Sequence, residues 1–224
     1  MNFLAHYLLA LESSKSSGFV VGSILPDIAK RAGFATSKSL LTNENEFHPE
    51  ILAGLKLHLE ADRHFHNSTL FTAGMAIWKQ GLEPEKVGYS KTFFLHHLLF
   101  EMWLDRLLLI ENPDAGKNMY LHLNQVQFAD LENFTSLFYQ DLSGKVYRTF
   151  LGFLKRKFIL SYTSNVDFVE IAAQVFSQVT QQKVSSELDT LIANKLNELE
   201  GDASNFLSLW EDFKTNFPKT DLML

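Results

Sequence analysis

The chain has 224 residues, 46% hydrophobic and 13% aromatic, which excludes a disordered chain and is enough for one domain with a sizeable core. Twenty basic against 26 acidic side chains leave a formal charge of −6, so no general attraction to nucleic acid or to an anionic membrane is expected. With no cysteine there is no disulfide, thiolate zinc site or cysteine nucleophile, so any metal must sit on His, Asp and Glu; a cytoplasmic location is the expectation.

Apolar residues recur at spacings of three and four, and strand-like alternation is scarce. This predicts an all-α, single-domain bundle of about eight to ten helices covering residues 1–224. The opening "MNFLAHYLLALE" lacks a basic n-region and is read as a core helix capped by Asn2. "FVVGSILPDIAKRAG" follows, kinked or interrupted at Pro26 and closed by Gly33. Residues 35–48 are polar and predicted to be a loop, after which Pro49 suits the first turn of a helix running to about His66. Further helices are predicted over 68–80, 90–111, 115–139, 145–160, 165–182, 185–199 and 203–216, with "NPDAGKN" as the clearest break. No apolar run approaches the roughly 20 residues of a membrane span.

The third helix, "ILAGLKLHLEADRHFH" over 51–66, carries His58, Asp62 and His66 at i, i+4 and i+8, on one stripe flanked by Ile51, Leu55, Leu59 and Phe65. Ionisable groups on an apolar face cost several kcal/mol each unless paired or bound. "FFLHHLLFEMWLDRLLL" over 93–109, apolar on nearly every side and so a central buried helix, repeats the arrangement with His97 and Glu101; Asp105 lies one turn further on. Seven of the eight histidines precede residue 98, close to these pairs. Mixed His and carboxylate donors with open positions suit Mn²⁺, Fe²⁺ or Zn²⁺. His6 and Asp27, polar residues in apolar surroundings, complete a candidate ligand set of His6, Asp27, His58, Asp62, His97 and Glu101. A lone HxxxD pair is more often a local hydrogen bond. It is the repetition that favours metal. His48, His64 and His122 are taken as loop or surface residues, and His96, turned about 100° from His97, as either a core histidine or a catalytic one.

"MNFLAH", "GSILPD" and "ILAGLKLHLEAD", followed by "FFLHHLLFE", "FILSYTSNVDFVEIAAQVF" and "FKTNFP", resemble the acyl carrier protein phosphodiesterases, relatives of the HD-type phosphohydrolases. The resemblance spans nearly the whole chain. It implies Mn²⁺-dependent hydrolysis of a phosphodiester, releasing 4′-phosphopantetheine from holo-acyl carrier protein, with His6, Asp27, His58 and Asp62 at matching positions. His66 stands in place of a carboxylate, His97 and Glu101 in place of two aspartates, and Leu59 and Glu60 where arginines are common. The HxxxD and HxxxE pairs are also similar to the all-α zinc-dependent phospholipase C and P1 nuclease class, although the secretory signal of its extracellular members is missing.

The expected activity is therefore metal-assisted phosphodiester hydrolysis, with His66 or His96 protonating the leaving oxygen. An acidic carrier protein would dock on the basic segment "KVYRTFLGFLKRK", through Lys145, Arg148, Lys155, Arg156 and Lys157. A short basic run is more commonly a solvated helix face. The expectation from a different class is a non-catalytic helical binding module whose histidines hydrogen-bond in the core.

Overall fold

The structure is a computed structural model and describes residues 1–34 and 48–218. Among these the protein is all-α, with eleven α-helices and four short 3-10 turns and no strand. In chain order the α-helices are α1 (Phe3–Ser13), α2 (Ser17–Arg31), α3 (Pro49–His66), α4 (Thr69–Lys79), α5 (Thr92–Glu111), α6 (Pro113–Asn124), α7 (Phe128–Tyr139), α8 (Ser143–Arg156), α9 (Asn165–Thr180), α10 (Ser186–Glu198) and α11 (Ala203–Asn216). The loop expected over 35–48 lies, apart from His48, outside the described residues. No helix among the described residues is long and apolar enough to cross a membrane.

Local chemistry accounts for most boundaries, and four expectations are corrected. Asn2 precedes α1 with extended backbone, but its side chain makes no capping bond. Ser68 and Ser164 do cap, their hydroxyls accepting from the backbone N–H of Phe71 and Asp167. α2 ends where Gly33 turns left-handed, at φ +93°, and the Phe34 N–H reaches back to the Ala29 carbonyl. Pro26 does not interrupt α2, which runs unbroken from Ser17 to Arg31. The single helix expected over 115–139 is two, α6 and α7, separated at Gln125–Gln127 where the Gln125 N–H bonds the His122 carbonyl in a tight turn. The break expected at "NPDAGKN" shrinks to Asn112, because Pro113 occupies the first position of α6, where its missing N–H costs nothing.

The chain forms two compact units, each assembled from separated stretches. The first comprises Met1–His64, Asp114–Lys157 and Phe217–Leu224; α2 packs on α1 and α8, and α7 on α8. Its α2–α3 contact is made through backbone: a Cβ on Gly22 would overlap the Ile51 carbonyl oxygen, and one on Gly54 would overlap the Phe19 carbonyl oxygen. Only glycine allows such an approach, and it brings Ser23 of α2 beside His58 of α3.

The second unit comprises Phe65–Pro113 and Phe158–Asn216. α5 is the buried helix the sequence predicts, with Leu99, Phe100, Leu104 and Asp105 all removed from solvent. It packs on α4, α9, α11 and the 3-10 stretch Phe158–Thr163. Gly74 of α4 lies against the Phe100 ring, which also stacks on Phe65 and meets Phe206 edge-on. The Arg106 guanidinium donates to the Tyr162 carbonyl and to Asn165 Oδ1 at 2.6 and 2.7 Å, and Asn165 Nδ2 donates to Asn197 Oδ1, so one chain of bonds ties α5 to the starts of α9 and α10's far end.

Candidate metal centre

The first cluster belongs to the first unit and draws on three helices. His6 comes from α1, Asp27 from α2, and His58 and Asp62 from α3. One donor atom each of His6, Asp27 and His58 lies within 4.8 Å of the others. His6 and His58 are 1% and 3% exposed, their rings stacked with centroids 3.9 Å apart, whereas Asp27 and Asp62 are half-buried.

His58 is oriented from behind. Its Nδ1 lies 2.8 Å from the Ser23 carbonyl oxygen, and since a carbonyl can only accept, Nδ1 carries a proton, which in the neutral ring leaves the lone pair on Nε2. That Nε2 is 3.5 Å from Asp62 Oδ2. A backbone carbonyl holding the far nitrogen is the arrangement that fixes ring and tautomer in metal-ligating histidines. His6 Nε2 is buried, 3.2 Å from Asp62 Oδ1 and 3.8 Å from Asp27 Oδ2, and neither contact has hydrogen-bond alignment. Burial and the adjacent His58 push the His6 imidazole down to about 3 against the pull of Asp62, so it is neutral at pH 7.

Asp62 has a second task. Its Oδ1 accepts from the Met1 ammonium at 2.7 Å. Burial alone would raise its carboxyl, but the ammonium, with His6 and His58, holds it well below the usual carboxylate range. Two imidazoles, a carboxylate and the ionised Asp62 carboxylate beside them fit a borderline divalent ion. His6 Nε2, buried and poorly served by its neighbours, is the observation that such an ion would satisfy.

The second cluster belongs to the second unit. His97 and Glu101 of α5 face His66, the last residue of α3, and the three donor atoms again converge. His97 Nε2 lies 3.1 Å from His66 Nε2 and 2.9 Å from Glu101 Oε1, and the latter is 3.8 Å from His66 Nε2. His66 is exposed, His97 and Glu101 half-buried.

The predicted residues are thus gathered in two groups of two histidines and a carboxylate, with Asp62 beside the first. His66, read from the sequence as an acid catalyst, sits among the donors of the second group. His96 joins neither: its Nε2 bonds the Leu82 carbonyl at 3.0 Å, and burial lowers its imidazole below the ordinary value. His122 is not the plain surface residue expected, since its Nδ1 shares a 2.9 Å hydrogen bond with the Tyr7 hydroxyl, whose pKa burial raises to about 12. His48 lies 3.7 Å from Asp130, and His64 contacts Arg63.

Lys145, Arg148, Lys155, Arg156 and Lys157 are all exposed, and among the described residues none of them forms an ion pair. Lys145, Arg148 and Arg156 share one face of α8, with Gly144 and Gly152 between and beside them. Sequence reasoning did not single out Ser23, Met1, Gly22 or Gly54. The two glycines, isolated inside otherwise apolar helices, were the available signal of a close backbone approach. The chain matches no protein-family model, no curated protein and no solved structure.

Proposed function

We propose that the protein is a metal-dependent phosphodiester hydrolase whose ion is held by His6, Asp27 and His58, with Asp62 alongside. The observation that carries this reading is the Ser23 carbonyl behind His58, which leaves the Nε2 lone pair facing the other donors. A divalent ion held by His6, Asp27 and His58 would supply Lewis acidity, lowering the pKa of water and offsetting charge on phosphate oxygens. The chain's own part is to keep His6 uncharged by burial, to fix the tautomer of His58 and to keep Asp62 ionised.

The resemblance makes Mn²⁺ the ion and holo-acyl carrier protein the substrate, with 4′-phosphopantetheine released. The exposed basic face of α8 supports an acidic macromolecular partner of that kind. The zinc-dependent phospholipase-like reading draws on the imidazole-rich donor sets and keeps the same reaction class.

The test is turnover of a generic aryl phosphodiester and of holo-carrier protein by the purified chain, with Mn²⁺ or Zn²⁺ added after chelation. Metal-restored hydrolysis that His58→Ala abolishes is the expected result. Absence of hydrolysis on both substrates with either ion overturns it.

One observation favours the non-catalytic reading: the Met1 ammonium and two histidines around Asp62 give its carboxylate partners without any ion. Under that reading His58→Ala leaves any metal-induced change in melting temperature as it is in the wild type.

A further inference from the structure

We propose that His66, His97 and Glu101 form a second divalent-ion site, open to solvent, which binds an ion of the zinc class independently of the His58 cluster. The inference does not depend on the phosphodiesterase reading, because it uses none of the first unit's residues.

His97 Nε2 stands 2.9 Å from a carboxylate oxygen and 3.1 Å from another imidazole nitrogen. One imidazole nitrogen carries at most one proton, so it cannot serve both neighbours as a linear donor. Placing the proton on His66 Nε2 instead leaves His97 Nε2 and Glu101 Oε1 facing each other as two acceptors. A cation between the three atoms is attracted by every lone pair at once.

Spacing agrees with this. Bonds of about 2.1 Å at near-tetrahedral angles put donors roughly 3.4 Å apart. The three separations here are 2.9, 3.1 and 3.8 Å, bracketing that value without any large rearrangement. Two imidazoles and one carboxylate select a borderline ion over Mg²⁺ or Ca²⁺. Three protein donors leave a coordination position for water or an exogenous anion, the pattern of exchangeable rather than closed structural sites.

The side chains are also held in place before any ion arrives. The Phe71 ring centroid lies 4.9 Å from that of His66 and 5.1 Å from that of His97, both pairs edge-to-face, and the Phe93 and His97 centroids are 6.0 Å apart. His97 and Glu101 are fixed relative to each other by one helical turn of α5, whose neighbouring Phe100 is fully buried. Rotamers limited in this way lose little entropy on binding.

Equilibrium dialysis of the full-length chain against Zn²⁺, with Co²⁺ absorption as a second readout, tests the proposal. The wild type should bind two ions, and His97→Ala, Glu101→Gln and His58→Ala one each. Affinity for the remaining ion should be unchanged, and that for the lost ion should fall at least about 100-fold. Glu101→Gln keeps the shape of the site, so agreement between it and His97→Ala excludes misfolding as the cause. If wild type binds one ion, its loss in His97→Ala and Glu101→Gln but not in His58→Ala sustains this site and removes the first. Retention of wild-type stoichiometry in His97→Ala overturns the proposal. So does loss of every ion in both His97→Ala and His58→Ala, which would mean one shared site, or the binding of no ion by the wild type.

Discussion

Gly54 of α3 and Phe19 of α2 meet backbone to backbone, so closely that a methyl group on Gly54 would overlap the Phe19 carbonyl oxygen. The contact fixes the position of Ser23, and through its carbonyl the orientation of His58. Gly54→Ala should therefore destabilise the protein by about 1–3 kcal/mol, overpacking outweighing the roughly 1 kcal/mol that alanine gains in a helix. It should also weaken metal binding. Gly152 of α8 is the control: a Cβ there meets nothing within 4 Å among the described residues, so Gly152→Ala should be neutral or stabilise by up to about 1 kcal/mol. Urea denaturation of both variants, with and without metal, checks the pair.

The metal-free protein should lose stability as pH falls. The His6 imidazole is held down to about 3 in the fold, against an ordinary 6.5, so below pH 6.5 the unfolded chain takes up a proton that the folded chain refuses. The contribution is complete above pH 6.5 and disappears between there and about pH 3, amounting to a few kcal/mol at most. Asp62, also lowered, acts in the same direction at the acid end. Denaturation midpoints in a chelator from pH 7 to pH 4 should fall steadily, and His6→Gln should flatten the slope between pH 6.5 and 4. A flat wild-type profile would contradict the burial of a neutral imidazole.

Asp62→Asn separates an electrostatic anchor from a metal ligand. The carboxylate offsets the charge of the buried Met1 ammonium, so its removal should cost the metal-free protein about 1–3 kcal/mol, after discounting for the solvent that reaches Asp62. If Asp62 also helps to hold the ion, metal affinity falls as well. Chemical denaturation in chelator and calorimetric metal titration report the two losses separately. A large stability loss with unchanged metal content assigns Asp62 to the anchor alone.

Reversing Lys155, Arg156 and Lys157 to Glu should slow association with an acidic carrier protein and reduce the salt dependence of that association. Turnover of a small phosphodiester should stay level, because these exposed side chains do not touch the His6–His58 cluster. Stopped-flow binding at two ionic strengths and steady-state turnover measure the two effects. Equal losses in both would point to misfolding.

The helices were legible because the chain repeats apolar residues every three or four positions, and caps such as Ser164 and breakers such as Gly33 mark their ends. The division of 115–139 was not, since Asn124–Gln127 contains no glycine or proline and the turn is made by ordinary backbone bonding. At the candidate sites, the i, i+4 pairs His58–Asp62 and His97–Glu101 follow directly from helical periodicity. The sorting of the candidates into two triads depends on tertiary packing, as does the place of His66 beside His97. Ser23 was invisible for a further reason: it acts through its carbonyl, which every residue possesses.

The two compact units are interleaved along the chain, and this constrains how the protein can be made or cut. A ribosome that has released residues 1–157 has delivered nearly all of the first unit, together with α4 and α5 of the second. Until Phe158–Asn216 follows, Leu99, Phe100 and Trp103 lack the cover that α9 and α11 provide, a large apolar surface open to chaperones or to aggregation. No single truncation point yields one unit without stranding part of the other. A minimal version of either site would have to be assembled from rejoined segments, with a new linker closing the gap left by the excised stretch.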